Sequence, residues 1–308
     1  LIENLLTDSR RLLFPETSLF FALYGPRRDG HLFLPDLYER GLRNFIVYRE
    51  VDIRNFPAAN IILVKDSVQA LQSLAAFHRQ QFDYPVIGIT GSNGKTIVKE
   101  WLNQLLEDKY HIVRSPRSYN SRIGVPLSIW QMNKTQDLAL IEAGISKAGE
   151  MQVLEEIIQP TLGVFTNIGE AHDEGFENPE AKILEKLRLF RKAAALIYPS
   201  DDELLHRTIQ SWHKAYPGVK LFSFGGKGSA LRVISKKKAG GRMELTVEYD
   251  GLTWPLLVGF AHEAAIQNVL TCITVLLYLG VSAAGLQPEL LRLSPVAMRM
   301  EIQTGINH

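Results

Sequence analysis

Residues 84–106 read YPVIGITGSNGKTIVKEWLNQLL, and this stretch decides the architecture of the chain. Val86-Ile87-Gly88-Ile89 is an apolar run of the kind buried on both faces of a parallel sheet. It enters a glycine turn directly, and behind the turn Ile97, Val98, Trp101, Leu102, Leu105 and Leu106 recur at helical spacing. Strand, glycine loop and helix, in that order, are the setting of a phosphate-binding loop. The spacing is displaced, however. The common form G-x-x-x-x-G-K-[ST] would put its first glycine where Ile89 stands, so Gly91 and Gly94 must supply the backbone freedom.

Such a loop works because glycines let successive backbone N–H groups converge on phosphate oxygens, while the following helix N-terminus adds partial positive charge. Lys95 is placed to reach the outer phosphates and the Thr96 hydroxyl a magnesium ion. A glycine-rich turn with a chance lysine is the competing reading, and the flanking strand and helix weigh against it.

Outward from this point, Leu138–Glu142, Leu162–Thr166 and Ala194–Tyr198 read as further buried strands with helical stretches between them. That alternation predicts a doubly wound, mainly parallel sheet. After Phe224 the rhythm becomes period two, and Leu231–Ser235 and Met243–Tyr249 read as an antiparallel hairpin across Ala239-Gly240-Gly241, followed by a helix over Glu263–Leu279. Before Tyr84 lie shorter strand candidates at Leu19–Leu23, Phe45–Tyr48 and Ile61–Val64, then a helix over Ser67–Phe82 capped by Asp66 or Ser67. This first block reads as a small α/β domain.

A length of 308 residues accommodates two such domains. Apolar residues at 46% and charged residues at 22% exclude a disordered or membrane-embedded chain. The net charge is +1 and the one basic block, Lys236-Lys237-Lys238, reads as a solvated turn, so no nucleic-acid footprint is expected. Cys272 is the single cysteine, which rules out an internal disulfide. With no signal peptide and no span-length apolar run, a cytoplasmic location is expected.

Three further residues have two readings each. Glu142 ends a strand on the edge where open α/β sheets bind ligands, or is an ordinary surface or capping residue. His172, in TNIGEAHDEGF (166–176), is a metal or phosphate ligand, or a solvated loop histidine. Lys186, in EKLRLFRKA, sits on a helix whose inward residues read as Leu184, Leu187 and Phe190, which makes a solvent-facing lysine the plain reading.

Taken together, these segments resemble the Mur ligases of peptidoglycan synthesis, whose phosphate loop is T-G-x-x-G-K-[ST], as at Thr90 to Thr96. The displaced glycine fits that family's spacing. TNIGEAH, Glu142, Lys186 at its offset from His172, and Arg299 in AMRME match as well. TDSRR, LFFALYG, DGHLF and RGLRNFIV, within residues 7–47, resemble the UDP-sugar domain of the later ligases. SYNSRIGVPLSIW (118–130) and EAGISKAGEM (142–151) are closest to the member that adds D-alanyl-D-alanine to UDP-N-acetylmuramoyl-tripeptide. The diaminopimelate- or lysine-adding member shares the first domain and differs at these two places. Ser146 replaces that member's usual Asn, and GFAHEAAIQN replaces its G-x-H-N, which leaves Asn268 as the adenine or ribose contact. Both departures are similar to a variant fused to an alanine racemase domain.

The resemblance implies a UDP-sugar-binding domain over 1–83, an ATP-binding P-loop domain over 84–300, and the start of a linker to a C-terminal domain over 301–308. It implies ATP bound by Thr90, Gly91, Ser92, Asn93, Gly94, Lys95 and Thr96, with Asn268 and Arg299, and two Mg²⁺ ions. Thr96 and Glu142 would hold one ion, His172 and Lys186 the other, and Lys95, His172 and Lys186 form the catalytic set. An ammonium cannot bind a cation, and a free lysine titrates near about 10.4. The family's carbamylated lysine is therefore expected at Lys186. Ser9, Arg10, Asp29, Gly30, His31 and Asn120 are the expected UDP-substrate contacts. The implied reaction is amide synthesis through an acyl phosphate, and without a C-terminal domain the chain is expected to bind both ligands but turn over little. A non-catalytic nucleotide-binding module and a P-loop kinase or hydrolase are the readings from other classes.

Overall fold

The computed structural model describes residues 1–25, 28–169 and 173–296. The N-terminal region holds β1 (Asn4–Leu6), β2 (Ser18–Phe21), a two-residue pair β3 (Tyr24–Gly25) and β4 (Arg28–Asp29), α1 (Leu34–Glu39), β5 (Asn44–Val47) and β6 (Asn60–Leu63). β1, β2, β5 and β6 make one parallel sheet in that order. Alternation along the strands divides its apolar side chains between two faces. Leu6, Phe20, Phe45 and Val47 pack with Leu34 and Leu37 of α1. Leu5, Leu19, Phe21 and Ile46 pack on Leu71 of α2 (Ser67–Arg79). The Asp66 carboxylate accepts the Val68 and Gln69 N–H groups at 2.7 and 3.1 Å and so caps α2.

The second sheet is built by β7 (Val86–Thr90), α3 (Lys95–Leu106), β8 (Ile112–Arg114), α4 (Gly124–Ile129), β9 (Leu138–Glu142), α5 (Glu150–Ile158), β10 (Leu162–Phe165), α6 (Pro179–Leu187), β11 (Ala195–Pro199), α7 (Glu203–Ala215) and β12 (Lys220–Gly225). β13 (Leu231–Ala239), β14 (Arg242–Tyr249), β15 (Leu252–Val258), α8 (Glu263–Tyr278) and α9 (Ala283–Arg292) complete it. The strand order is β8-β9-β7-β10-β11-β12-β13-β14-β15. Neighbours are parallel from β8 to β13 and antiparallel from β13 to β15. Ile87, Ile89, Leu138, Leu140 and Val164 face α3 and α8. Val86, Ala139, Ile141 and Phe165 face α4 to α7. Covering both faces in this way is what lets these strands be apolar throughout.

The expected hairpin is one strand larger than its sequence suggests. β15 carries Pro255, which cannot donate to a ladder, and it is tolerated because β15 is the edge strand. The Lys236-Lys237-Lys238 triplet is exposed as expected but lies in β13, not in a turn. β13 pairs with β12 only at Leu231 and Arg232, so its lysine end has a free side.

Helix α2 joins the two sheets. Beyond Leu71 it packs on α4 and α5, and its buried Arg79 donates to the carbonyls of Ile158, Phe82 and Gln159 at 2.9, 2.6 and 3.1 Å. The chain leaves β7 for β8 and β9 on one side and later reaches β10 on the other. A crevice therefore opens beyond the carboxyl ends of β7, β9 and β10, the position at which open α/β sheets bind ligands.

Candidate active site

Residues 90–95 stand in that crevice. Gly91 has φ 144° and Gly94, the N-cap of α3, has φ 81°, conformations that a residue with a Cβ rarely adopts. Space forbids a side chain as well: a Cβ on Gly91 would overlap Thr166 Oγ1 and lie 3.0 Å from the Asn167 carbonyl oxygen. The loop is laced to the end of β10. Ser92 N–H donates to the Asn167 carbonyl at 2.9 Å, Asn93 N–H to Asn167 Oδ1 at 3.0 Å, and the Thr166 hydroxyl to the Asn93 carbonyl at 2.5 Å. Ser92 Oγ and Lys182 Nζ both reach the Gly169 carbonyl, at 3.1 and 2.5 Å. The first half of TNIGEAH therefore shapes the loop, a role its sequence did not suggest.

Lys95 Nζ turns back onto the carbonyls of Gly91 and Ser92 at 2.8 and 3.1 Å. Thr96 Oγ1 donates to Glu142 Oε2 at 3.2 Å and lies 3.3 Å from Ser118 Oγ. Glu142 is wholly buried at the end of β9, which removes the reading of an ordinary surface residue. A hydroxyl and a carboxylate oxygen side by side suit a hard divalent cation such as Mg²⁺, which keeps several waters and phosphate oxygens as its other ligands. Among the described residues no group of three His, Cys, Asp or Glu could hold a metal alone.

Lys186 departs from the plain reading of its helix. It is buried at 3% exposure, whereas Leu184, expected to face inward, is 43% exposed. α6 turns Lys182, Ile183, Glu185, Lys186 and Leu187 inward because Lys182 and Lys186 find carbonyls of the loop region and Glu185 caps α5 through the Gly149 and Met151 N–H groups at 2.8 and 3.1 Å. Lys186 Nζ is 3.2 Å from the Gly91 carbonyl oxygen. Burial first, then the charges of Lys95 and Lys182, push its amine down to about 7. His172 and Arg299 lie outside the described residues.

Lys95, Lys186 and Asn120 line one cleft of about 280 Å³ with Arg122, Ser146 and Glu150. The Asn120 backbone is fixed there, since its main-chain carbonyl accepts the Gly144 N–H at 2.8 Å. Ser146, in place of the expected Asn, donates from N–H and hydroxyl to Glu150 Oε2 at 2.8 and 3.1 Å. On the far side of the loop, Asn268 of α8 is 4% exposed, and its Oδ1 stands where a Cβ on Gly94 would project.

The first-sheet candidates form two separate groups. Arg10 forks Asp8 at 2.9 and 2.7 Å in the turn that contains Ser9, and Asp8 and Arg11 line a hollow of about 410 Å³ shared with Ser118, Tyr119 and Trp130. Asp29 accepts His31 N–H at 2.9 Å and lies 3.0 Å from its Nδ1, while Gly30 sits so close to Ala22 and Leu23 that a Cβ would come within 2.6 Å of the Leu23 nitrogen. Tyr48, edge-on to His31 at 4.3 Å, lines a second hollow of about 280 Å³ with Tyr24 and Lys65. The Arg11 guanidinium reaches the Tyr119 hydroxyl across the two sheets.

A phosphate loop at the switch point of a doubly wound sheet, with a buried carboxylate beside its threonine, defines a P-loop nucleotide-binding protein. The Mur ligase middle domain matches residues 89–276, and the chain belongs to the Mur ligase family. The UDP-N-acetylmuramoyl-tripeptide--D-alanyl-D-alanine ligase of Bacillus subtilis is 29% identical over 98% of this chain and 64% of its own length. MurF from Acinetobacter baumannii superposes with TM-score 0.88 at 26% identity, covering 100% of this chain and 66% of that one. MurF ligase from Thermotoga maritima, in complex with ADP, gives TM-score 0.83 at 25% identity, over 96% and 66%. The chain thus spans a little under two thirds of these relatives. No described helix is long and apolar enough to cross a membrane.

Proposed function

We propose that this chain carries the UDP-substrate-binding and ATP-binding parts of a ligase that adds D-alanyl-D-alanine to UDP-N-acetylmuramoyl-tripeptide. The first part corresponds to residues 1–83 and the second to 84–300. The observation that carries the reading is the convergence of Lys95 and Lys186 on one cleft at the phosphate loop, lined also by Asn120 from the SYNSRIG segment.

The chemistry needs that convergence. A carboxylate is a poor acyl donor because oxide would have to leave, so the γ-phosphoryl group of ATP is first moved to the peptide's terminal carboxylate. The dipeptide amine then attacks the carbonyl carbon, its proton is lost, and phosphate departs. Lys95 neutralises the outer phosphates, and Gly91 and Gly94 offer backbone N–H groups to them, while those of Ser92 and Asn93 are held by Asn167 and keep the loop in shape. Thr96 and Glu142 would hold one Mg²⁺, whose charge offsets that of the transferring phosphoryl group. Asn268 takes the adenine or ribose side, with Arg299.

Lys186 and His172 would hold a second ion, Lys186 once carbamylated, a change in which its neutral amine adds CO2, loses a proton and becomes an anionic oxygen ligand. The lowered amine pKa and the positive neighbours Lys95 and Lys182 both favour that anion. Ser9 and Arg10, with Asp29, Gly30 and His31, take the sugar nucleotide, whose solubility suits a cytoplasmic reaction. Ser146 and the wording Glu263 to Asn268 support a ligase joined to an alanine racemase domain.

Calorimetric titration separates the substrates. UDP-N-acetylmuramoyl-tripeptide should bind saturably in the presence of Mg·ADP, and UDP-N-acetylmuramoyl-L-alanyl-D-glutamate should bind much more weakly. The reverse order would point to a diaminopimelate- or lysine-adding member, and binding of neither would leave a nucleotide-binding module.

A further inference from the structure

Lys99 lies one helical turn beyond Lys95 on α3 and is completely buried, yet nothing in the reaction uses it. Its Nζ is 2.6 Å from the carbonyl oxygens of Ser115 and Arg117, and 3.0 Å from Glu142 Oε1 and from Glu100 Oε1. Burying an ion pair costs desolvation that well-packed apolar side chains would not incur, so its presence calls for a role other than stability. The geometry supplies one. Glu142 has two oxygens with different partners: Oε1 is held by the charge of Lys99 at 3.0 Å without hydrogen-bond geometry, and Oε2 accepts from the Thr96 hydroxyl.

The same ammonium holds the segment after β8. Arg117 is a non-glycine residue at φ 49°, a conformation that persists only where its surroundings enforce it, and its carbonyl is one of the two that Lys99 binds. That turn delivers Ser118 Oγ to 3.3 Å from Thr96 Oγ1. Ser115 adds a tie of its own, accepting the Glu142 N–H on its hydroxyl at 3.1 Å.

We infer that Lys99 is a positioning residue that occupies one oxygen of Glu142 and presents the other, Oε2, to the cation held with Thr96. The inference rests on the metal reading of Glu142 given above. Lys99 touches no nucleotide-facing atom, so its loss should alter how a metal ion promotes nucleotide binding and leave metal-free nucleotide binding alone. A residue that merely stabilised the helix would change both together.

The test uses fluorescent ADP on Lys99→Met and on Lys99→Gln, which keeps a hydrogen-bond donor without the charge. Affinity is measured in EDTA and across a Mg²⁺ titration. The expected result for Lys99→Met is a Mg²⁺ midpoint raised at least about tenfold, the usual effect of losing a ligand's orienting partner, with the EDTA affinity kept and a smaller rise for Lys99→Gln. An unchanged midpoint, or parallel losses with and without Mg²⁺, overturns the inference. Should both variants fail to fold, crystals of the unaltered chain with Mn²⁺ and ADP decide it. Manganese on Glu142 Oε2 with Oε1 still on Lys99 supports it, and manganese on Oε1 or a withdrawn Lys99 refutes it. A chain whose ADP affinity ignores Mg²⁺ removes the metal reading of Glu142 and this inference together, while the tripeptide titration still judges the ligase reading separately.

Discussion

Lys186 Nζ lies 3.2 Å from the Gly91 carbonyl oxygen, a contact that joins α6 to the phosphate loop across 95 positions of sequence. Lys95 Nζ reaches the same carbonyl at 2.8 Å. Two ammonium groups on one acceptor, in a buried setting, repel each other, and the more buried one gives up its proton more readily.

Burial and its positive neighbours lower the Lys186 amine from 10.5 to about 7, so the ammonium prevails below that pH and the neutral amine above it. Only the neutral amine adds CO2. With ¹³C-labelled bicarbonate at fixed dissolved CO2, a carbamate resonance should grow as pH rises through about 7 and be missing from Lys186→Met. Lys95→Met removes one repelling charge, so its onset should move to higher pH. A signal that survives in Lys186→Met would place the adduct elsewhere.

Gly91→Ala asks for a Cβ where Thr166 Oγ1 already stands, at φ 144°. Thr166 and Asn167 hold the loop, so the clash displaces the N–H groups meant for phosphate. Unfolding in urea should show a loss of about 1–3 kcal/mol. ADP affinity should fall by at least about tenfold, equivalent to about 1.4 kcal/mol. Unchanged affinity would mean that the loop does not cradle the phosphates.

Arg79→Met leaves the carbonyls of Ile158, Phe82 and Gln159 without their common donor at the joint between the sheets. Each buried acceptor left bare costs about 1–3 kcal/mol, partly offset by the apolar replacement, so a net loss of about 2–4 kcal/mol is expected. The urea midpoint should drop while ADP affinity in the folded protein stays the same. An unaltered midpoint would show that water satisfies these carbonyls.

What could be read beforehand follows from how local each signal is. β9 was legible end to end as Leu138–Glu142, and the helix after the loop showed its stripe, because both are long apolar patterns with clear periods. β1 and β8, three residues each, are too short to declare a period. β15 was hidden by Pro255, which argues against a strand unless the strand is known to be an edge. At the site, the loop and Glu142 were visible from their own residues, whereas Asn268 stood out only through the family resemblance. Lys99, Lys182 and Glu185 were not, since a charged residue on an amphipathic helix reads as outward until its buried partners are known. The inward turn of Lys186 depends on carbonyls of Gly91 and the neighbouring loop that only the tertiary fold brings to it.

In the proposed reaction a muramoyl peptide's carboxylate meets the outer phosphate of ATP between Lys95 and Lys186. A crystal structure with UDP-N-acetylmuramoyl-tripeptide, Mg²⁺ and a non-hydrolysable ATP analogue tests it directly. That carboxylate is expected in the cleft lined by Lys95, Asn120 and Lys186, facing the γ-phosphate. A bound peptide whose carboxylate lies outside that cleft, with nucleotide present on the loop, would contradict it.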